Sequence, residues 1–206
     1  MLTLVIDSAT EACSAALFDD SLLIAGYFRM LGRGHAEHLV PMIASLPGRG
    51  RADRIAVALG PGSFTGVRVG LAAARALALA WNAELIGYPT LDLVAAMARA
   101  RGEAVPVAVV MTGGHGEWFV QGFSAEAAAT RPLASLPPAI AVTTAGEPLI
   151  AGSQAEAFVA ERGNGEAWQI WPDARAFANL AHTALTSEVQ PLYGRAPDAK
   201  LPQDSR

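Results

Sequence analysis

Between a short apolar run at residues 54–59 and an alanine-rich stretch at 66–82 lies the string Gly60-Pro-Gly-Ser-Phe-Thr-Gly-Val-Arg-Val-Gly70, which limits the chain's options more than any other. It predicts a strand, a tight turn and a helix start. Gly60 and Gly62 allow positive φ, while Pro61 fixes its own φ and removes a donor, so the turn can be sharp and stiff. Ser63 and Thr65 can each accept from the first N–H groups of the helix and cap it. A helix N-terminus at a strand end also offers partial positive charge to an anion, of which phosphate is one candidate. Two familiar phosphate-binding strings do not fit, however. G-x-x-x-x-G-K-[ST] needs a lysine, and none lies in the turn or the following helix; G-x-G-x-x-G needs two residues where Ser63-Phe64-Thr65 places three. On spacing alone, a plain strand-to-helix connection is the simpler reading.

Around this string the chain alternates. Residues 2–7, 13–18 and 22–29 read as a three-stranded antiparallel meander. Leu39, Met42, Ile43 and Leu46 then recur at helical spacing, with Pro41 placing the helix start close by or bending it there. Strand 54–59, helix 66–82, strand 84–88 and helix 91–101, with Thr90 as its N-cap, add a parallel section. After residue 103 a strand–turn–strand arrangement at 105–111, 112–116 and 118–123 repeats the opening one. This suggests duplication and a division into 1–102 and 103–206. A loop at 125–138, a strand at 148–152, helices at 154–162 and 173–185 and an extended tail at 190–200 complete the reading.

Composition narrows the function classes. With 206 residues, 52% of them hydrophobic and 17% charged, the chain can bury a sizeable core. A net charge of −4 argues against gripping a nucleic-acid backbone through a basic face of its own, so any RNA would be held largely by a partner. Cys13 stands alone, and residues 1–7 lack a basic start and a long apolar core, so a cytoplasmic protein is expected. The most apolar stretch, 69–81, is interrupted by Arg75 and is short for a bilayer; no membrane segment is expected.

Four constellations bear on chemistry. Asp7-Ser8-Ala9-Thr10 ends the first strand, where a carboxylate beside free amides can hold a cation and a phosphate tail, or where Asp7 and Thr10 merely cap the turn. Together with Gly60, Gly62, Ser63 and Thr65 they form the phosphate-loop-like set. His35 and His38 flank Glu37 at a spacing unlike the zinc-hydrolase pattern, and a solvated helix start explains them more simply. Cys13 falls inside a strand, where it should be buried and inert. The helix at 66–81 is apolar nearly all round, with Val67, Gly70, Leu71, Ala74, Leu77, Ala78 and Trp81 on one stripe and Val69, Ala72, Ala73, Ala76, Leu79 and Ala80 on the other side. Two readings stand: a helix packed within its own domain, or a protein interface in which Arg68 and Arg75, seven apart, pair with carboxylates.

Four stretches resemble the TsaB family: residues 5–17, His35-Ala-Glu-His-Leu-Val-Pro41, the string at 60–70 with its helix, and Pro191-Leu-Tyr-Gly-Arg-Ala-Pro-Asp-Ala199. The resemblance implies an α/β, actin-like and ribonuclease H-like fold of the ASKHA class, with two related subdomains of mixed sheets flanked by helices. It implies a non-catalytic partner of TsaD in making threonylcarbamoyladenosine on tRNA. TsaD would dock through the helices carrying Leu39, Met42, Ile43, Leu46, Arg68, Leu71, Ala74, Arg75 and Leu77. The ATPase TsaE would bind the pair, and tRNA would be reached through the complex. The isolated chain could also form a homodimer. No catalytic residue, cofactor or metal is expected on this chain alone; ATP or ADP and a metal belong to TsaD. TsaD relatives carry His-x-Glu-Gly-His just after the strand that follows the apolar helix, where this chain has Tyr88-Pro-Thr-Leu-Asp-Leu93. It also departs from the family at Thr112-Gly-Gly-His-Gly-Glu117, where members commonly read Asp-Ala-Arg-Arg-x-Glu. An ATP-dependent kinase of the same fold class is the alternative, needing an acidic or glycine-rich loop opposite Asp7; a metal-dependent glycopeptidase is a third reading, needing bound zinc.

Overall fold

A computed structural model describes residues 1–102 and 104–194. Strands β1 (Leu2–Asp7), β2 (Ala12–Asp19) and β3 (Leu22–Met30) form the antiparallel meander. Strands β4 (Arg54–Ala58) and β5 (Glu84–Tyr88) extend it in parallel, in the order β3-β2-β1-β4-β5. From its second residue onward β1 is buried, as is β4, and residues 4–6 and 55–58 are unbroken apolar runs because both sheet faces are covered.

Helix α1 (His35–Ala44) starts six residues before Pro41 rather than beside it, and α2 (Phe64–Trp81) follows the glycine string. Pro41 is tolerated inside α1 because it lies on the exposed side, where water can satisfy the Glu37 carbonyl that loses its donor. With eighteen residues, α2 is long and apolar enough by length and composition to cross a membrane, longer than its sequence suggested. Its inner face, however, packs on β4 through Val67, Gly70, Leu71, Ala74 and Ala78. Helix α3 (Thr90–Arg99) takes Pro89, not Thr90, at its N-cap. Thr90 is its first helical residue, and its buried Oγ1 has no hydrogen-bond partner among the described residues.

The second sheet repeats the first. Strands β6 (Val107–Thr112), β7 (Trp118–Phe123), β8 (Ala134–Leu136), β9 (Leu149–Ala151) and β10 (Glu166–Trp168) lie in the order β8-β7-β6-β9-β10, with the same antiparallel and parallel pairings. Helices α4 (Pro138–Thr144) and α5 (Ala155–Arg162) occupy the places of α1 and α2. Strand β8, helix α4 and strand β10 were not expected; at three to seven residues they are too short to carry a period, and tertiary pairing makes them. Along β6 the side chains alternate between two cores. Val107, Val109 and Met111 join the first half's core, while Ala108 and Val110 pack with Trp118, Ala141 and Phe158. The two halves are thus joined by shared apolar packing.

In place of the expected helix at 173–185 there are two 3₁₀ turns, Ala174–Asn179 and His182–Ala184. The Asp173 carboxylate accepts from the Arg175 amide and starts the first; Leu180, extended at φ −74°, ψ 134°, ends it. Beyond them the chain straps the first half. Thr186 and Gly87 exchange main-chain hydrogen bonds of 2.8 and 3.0 Å, and the Leu192 amide donates to the Leu59 carbonyl at 2.8 Å. Of the expected extended tail, residues 195–200 lie outside the described residues.

Candidate functional site

The glycine string is built for close packing. A Cβ on Gly62 would overlap the Ala9 carbonyl, one on Gly66 the Ser8 carbonyl, and one on Gly70 would stand 2.6 Å from Ser8 Oγ. Spaced by four, these glycines present bare backbone to the β1–β2 turn. That turn is bonded to them by the Ser63 amide donating to the Ala9 carbonyl (2.7 Å) and by Ser8 Oγ donating to the Gly66 carbonyl (2.9 Å). Ser63 caps α2 by accepting from the Gly66 amide at 3.3 Å, whereas Thr65, expected as a second cap, is a first-turn helical residue with an exposed side chain. Gly60 takes φ +92° before a cis bond to Pro61.

Asp7 does not face a ligand. It is 1% exposed, accepts from the Ala9 amide at 3.0 Å and stands 3.3 Å from the Tyr88 hydroxyl, which also donates to the Ile6 carbonyl at 3.1 Å. Burial pushes its carboxyl up to about 7, with the negative charge of Asp173 adding to the effect and the hydrogen bonds from Ala9 and Tyr88 opposing it. Thr10 Oγ1 likewise turns inward and accepts from the Ala12 amide. The six phosphate-loop-like residues therefore meet in space, but Asp7 and Thr10 serve the turn. A kinase would need a carboxylate turned toward bound phosphate, and Asp7 is sealed away from that position.

Between the halves lies a cleft of about 720 Å³, within the range of small-ligand sites. Ser63, Phe64, Arg68 and Tyr193 line one wall; Met111, the turn from Thr112 to His115, and Phe119 line the other. Thr112 is held from behind: its amide donates to Ser153 Oγ at 3.0 Å, and its hydroxyl accepts from Gln154 Nε2 at 2.9 Å. Among the described residues no three or more His, Cys, Asp or Glu side chains stand together as a metal would require. His35 is buried rather than solvated, its Nε2 3.3 Å from the Ala12 carbonyl, while His38 is exposed. Cys13 is buried.

The helices expected to dock a partner do adjoin each other, but most of the side chains named for that task point inward. Leu39, Met42, Ile43, Leu46, Leu71 and Ala74 belong to the chain's own core, and Leu77 is half-buried against it. Arg68 and Arg75 hold the strap in place of a partner's carboxylates. Arg68 Nη2 donates to the Tyr193 hydroxyl at 2.6 Å, with its guanidinium 3.3 Å from the Phe64 ring centre, and Arg75 Nη2 donates to the Val189 carbonyl at 2.8 Å. Other apolar residues of the same helices face out: Val40 is 55%, Phe64 68% and Leu79 87% exposed. The sequence places Leu79 on the second apolar side of α2 without distinguishing it from its neighbours there.

Two halves of one topology, packed together across a cleft, define an actin-like protein of the ASKHA class. Residues 29–143 match the family model described as TsaD: tRNA N6-adenosine threonylcarbamoyltransferase. The chain belongs to this family. It is 38% identical over 124 residues to the tRNA threonylcarbamoyladenosine biosynthesis protein TsaB of Escherichia coli K12, covering 58% of this chain and 53% of that protein. With TsaB of Bacillus subtilis 168 the identity is 32% over 104 residues, covering 48% and 45%. The chain thus spans about half the length of the curated relatives it matches. A Pseudomonas aeruginosa crystal structure, of an uncharacterised protein with similarity to peptidase YeaZ, superposes with a TM-score of 0.78 at 25% identity, covering 94% of this chain and 99% of that one.

Proposed function

We propose that this chain works in the biosynthesis of threonylcarbamoyladenosine on tRNA as a non-catalytic cytoplasmic subunit, docking a TsaD-type transferase and supporting its reaction. The observation that carries the reading is the outward apolar side of α1 and α2, with Leu79 and Val40 more than half exposed on elements whose other side is packed. An exposed apolar face on a rigid helix pair loses its cost when a partner covers it. Family membership supports the choice of partner. In this assembly the transferase supplies the metal and the adenine nucleotide, a TsaE-type ATPase binds the pair, and tRNA is held largely by the partners, in keeping with this chain's net charge of −4.

Co-expression of the full chain with the TsaD protein of its own genome tests this. A stable complex is expected, together with tRNA modification in the reconstituted system that falls when this chain is left out. No complex, or full modification without the chain, would refute the reading.

A further inference from the structure

Helix α3 is buried on almost every side, since Leu91 and the run from Leu93 to Ala98 all pack into the core, and its two charges stand at the rim. Asp92 and Arg99 are seven residues apart, which puts them on one helix face, about 10 Å from each other along the axis. Both line a second cavity, of about 190 Å³, which shares no lining residue with the cleft. Its other walls are Phe123 and the turn at 127–129 from the second half, and Leu180, Thr183 and Ala184 from the 3₁₀ segment. Alanine holds five of the wall positions, and these short side chains leave the space open.

Arg99 is the group that packing does not explain. Its Nη1 is buried and has no hydrogen-bond partner among the described residues, and burial draws its pKa down, the charge of Asp92 opposing. A buried donor without an acceptor is costly, and native structures rarely leave one so. Asp92 feels the Arg99 charge without hydrogen-bonding to it, and burial pushes its carboxyl up to about 6, the Arg99 charge opposing. It is therefore ionised at neutral pH.

We propose that this cavity binds a small amino carboxylate with its charges at opposite ends, Arg99 receiving the carboxylate and Asp92 the ammonium. A lone anion would satisfy Arg99 but set a second negative charge beside Asp92, and a lone cation would do the reverse, so two fixed charges of opposite sign favour a ligand that carries both. At roughly 30 Å³ for a water-sized group, the volume takes about six non-hydrogen atoms, the size of β-alanine. The charged ends of β-alanine stand further apart than those of an α-amino acid, which suits side chains two helical turns apart. Once bound, the ligand ties α3 to the 127–129 turn and to the 3₁₀ segment, which the cavity separates. None of this depends on which partner covers α1 and α2.

An NMR titration of the full chain with β-alanine tests the assignment. Saturable shifts are expected at the amides of residues 127–129 and 181–184, with a Kd on the order of millimolar and the cleft amides at 62–64 and 113–115 unmoved. Acetate and ethylamine, each carrying one of the two charges, should bind about tenfold more weakly or worse. Arg99→Gln and Asp92→Asn should each weaken β-alanine binding by about tenfold or more, while Asp92→Asn should leave acetate binding no weaker. The absence of a saturable shift, shifts confined to the cleft, acetate or ethylamine binding as tightly as β-alanine, or folded variants that bind β-alanine unchanged would each overturn the proposal. Should either variant fail to fold, the comparison of β-alanine with acetate and ethylamine on the unaltered chain still decides.

Discussion

The Tyr88 hydroxyl lies 3.3 Å from Asp7 Oδ2 and 3.1 Å from the Ile6 carbonyl, tying the last residue of β5 to the end of β1 across the intervening strand. One hydroxyl hydrogen cannot serve both acceptors fully. The shorter contact is to Ile6, so Asp7 receives the weaker share of that hydrogen while also accepting from the Ala9 amide.

This pair makes stability depend on pH in a definite direction. The folded chain keeps the Asp7 proton up to about pH 7, whereas an unfolded carboxyl releases it near its ordinary value of 3.8. Between those values the folded state binds more protons, so stability falls as pH rises, by up to about 4 kcal/mol from Asp7. Asp92, pushed up to about 6 by burial, acts in the same sense. Urea unfolding between pH 4 and 8 should trace this decline, and Asp7→Asn should flatten it to the share left by Asp92. Parallel profiles for the two proteins would contradict the assignment.

Gly66→Ala separates a packing role for the glycine string from a merely helical one. In an exposed helix the change would stabilise by up to about 1 kcal/mol. Here the new methyl meets the Ser8 carbonyl, and a loss of about 3 kcal/mol is expected, read as a lower urea midpoint at unchanged m-value.

Tyr193→Phe removes the hydroxyl that Arg68 holds and leaves the ring in place. The bond is exposed, so global stability should change by less than about 0.5 kcal/mol. The Leu192 amide, bonded to Leu59, should exchange faster because the strap opens locally. Unchanged exchange would mean that the strap is held elsewhere.

Leu79 and Leu71 lie two turns apart on α2 but are 87% and 2% exposed. Leu79→Asp should leave stability within about 0.5 kcal/mol and abolish co-purification with the transferase. Leu71→Ala should cost about 2–5 kcal/mol through the cavity it leaves. Retained binding by L79D would move the docking face off this helix.

Much of the architecture could be read from the chain itself. The meander, the strand–glycine–helix unit and the opening hairpin of the second half all carry local signals: alternation, turn residues and unbroken apolar runs. Strands β8 and β10 and helix α4 carry none, since segments of three to seven residues exist only because a neighbour pairs with them. The region at 173–185 misled because apolar and alanine-rich residues suit a helix, while packing against β2, β3 and α3 imposed two 3₁₀ turns.

Residue types alone determined that a strand, a stiff glycine turn and an apolar helix follow one another here, and that this string marks the family. Only tertiary structure decided what each residue serves. The glycines admit the backbone of a turn more than fifty residues away, Asp7 answers to a tyrosine at position 88, and two arginines on α2 hold the chain's own strap. A helix that is apolar all round does not state which side the sheet will cover, because its hydrophobicity has no direction until a neighbour supplies one. Contacts between distant segments cost loop entropy that no local pattern records, so they become visible only once the chain has closed on itself.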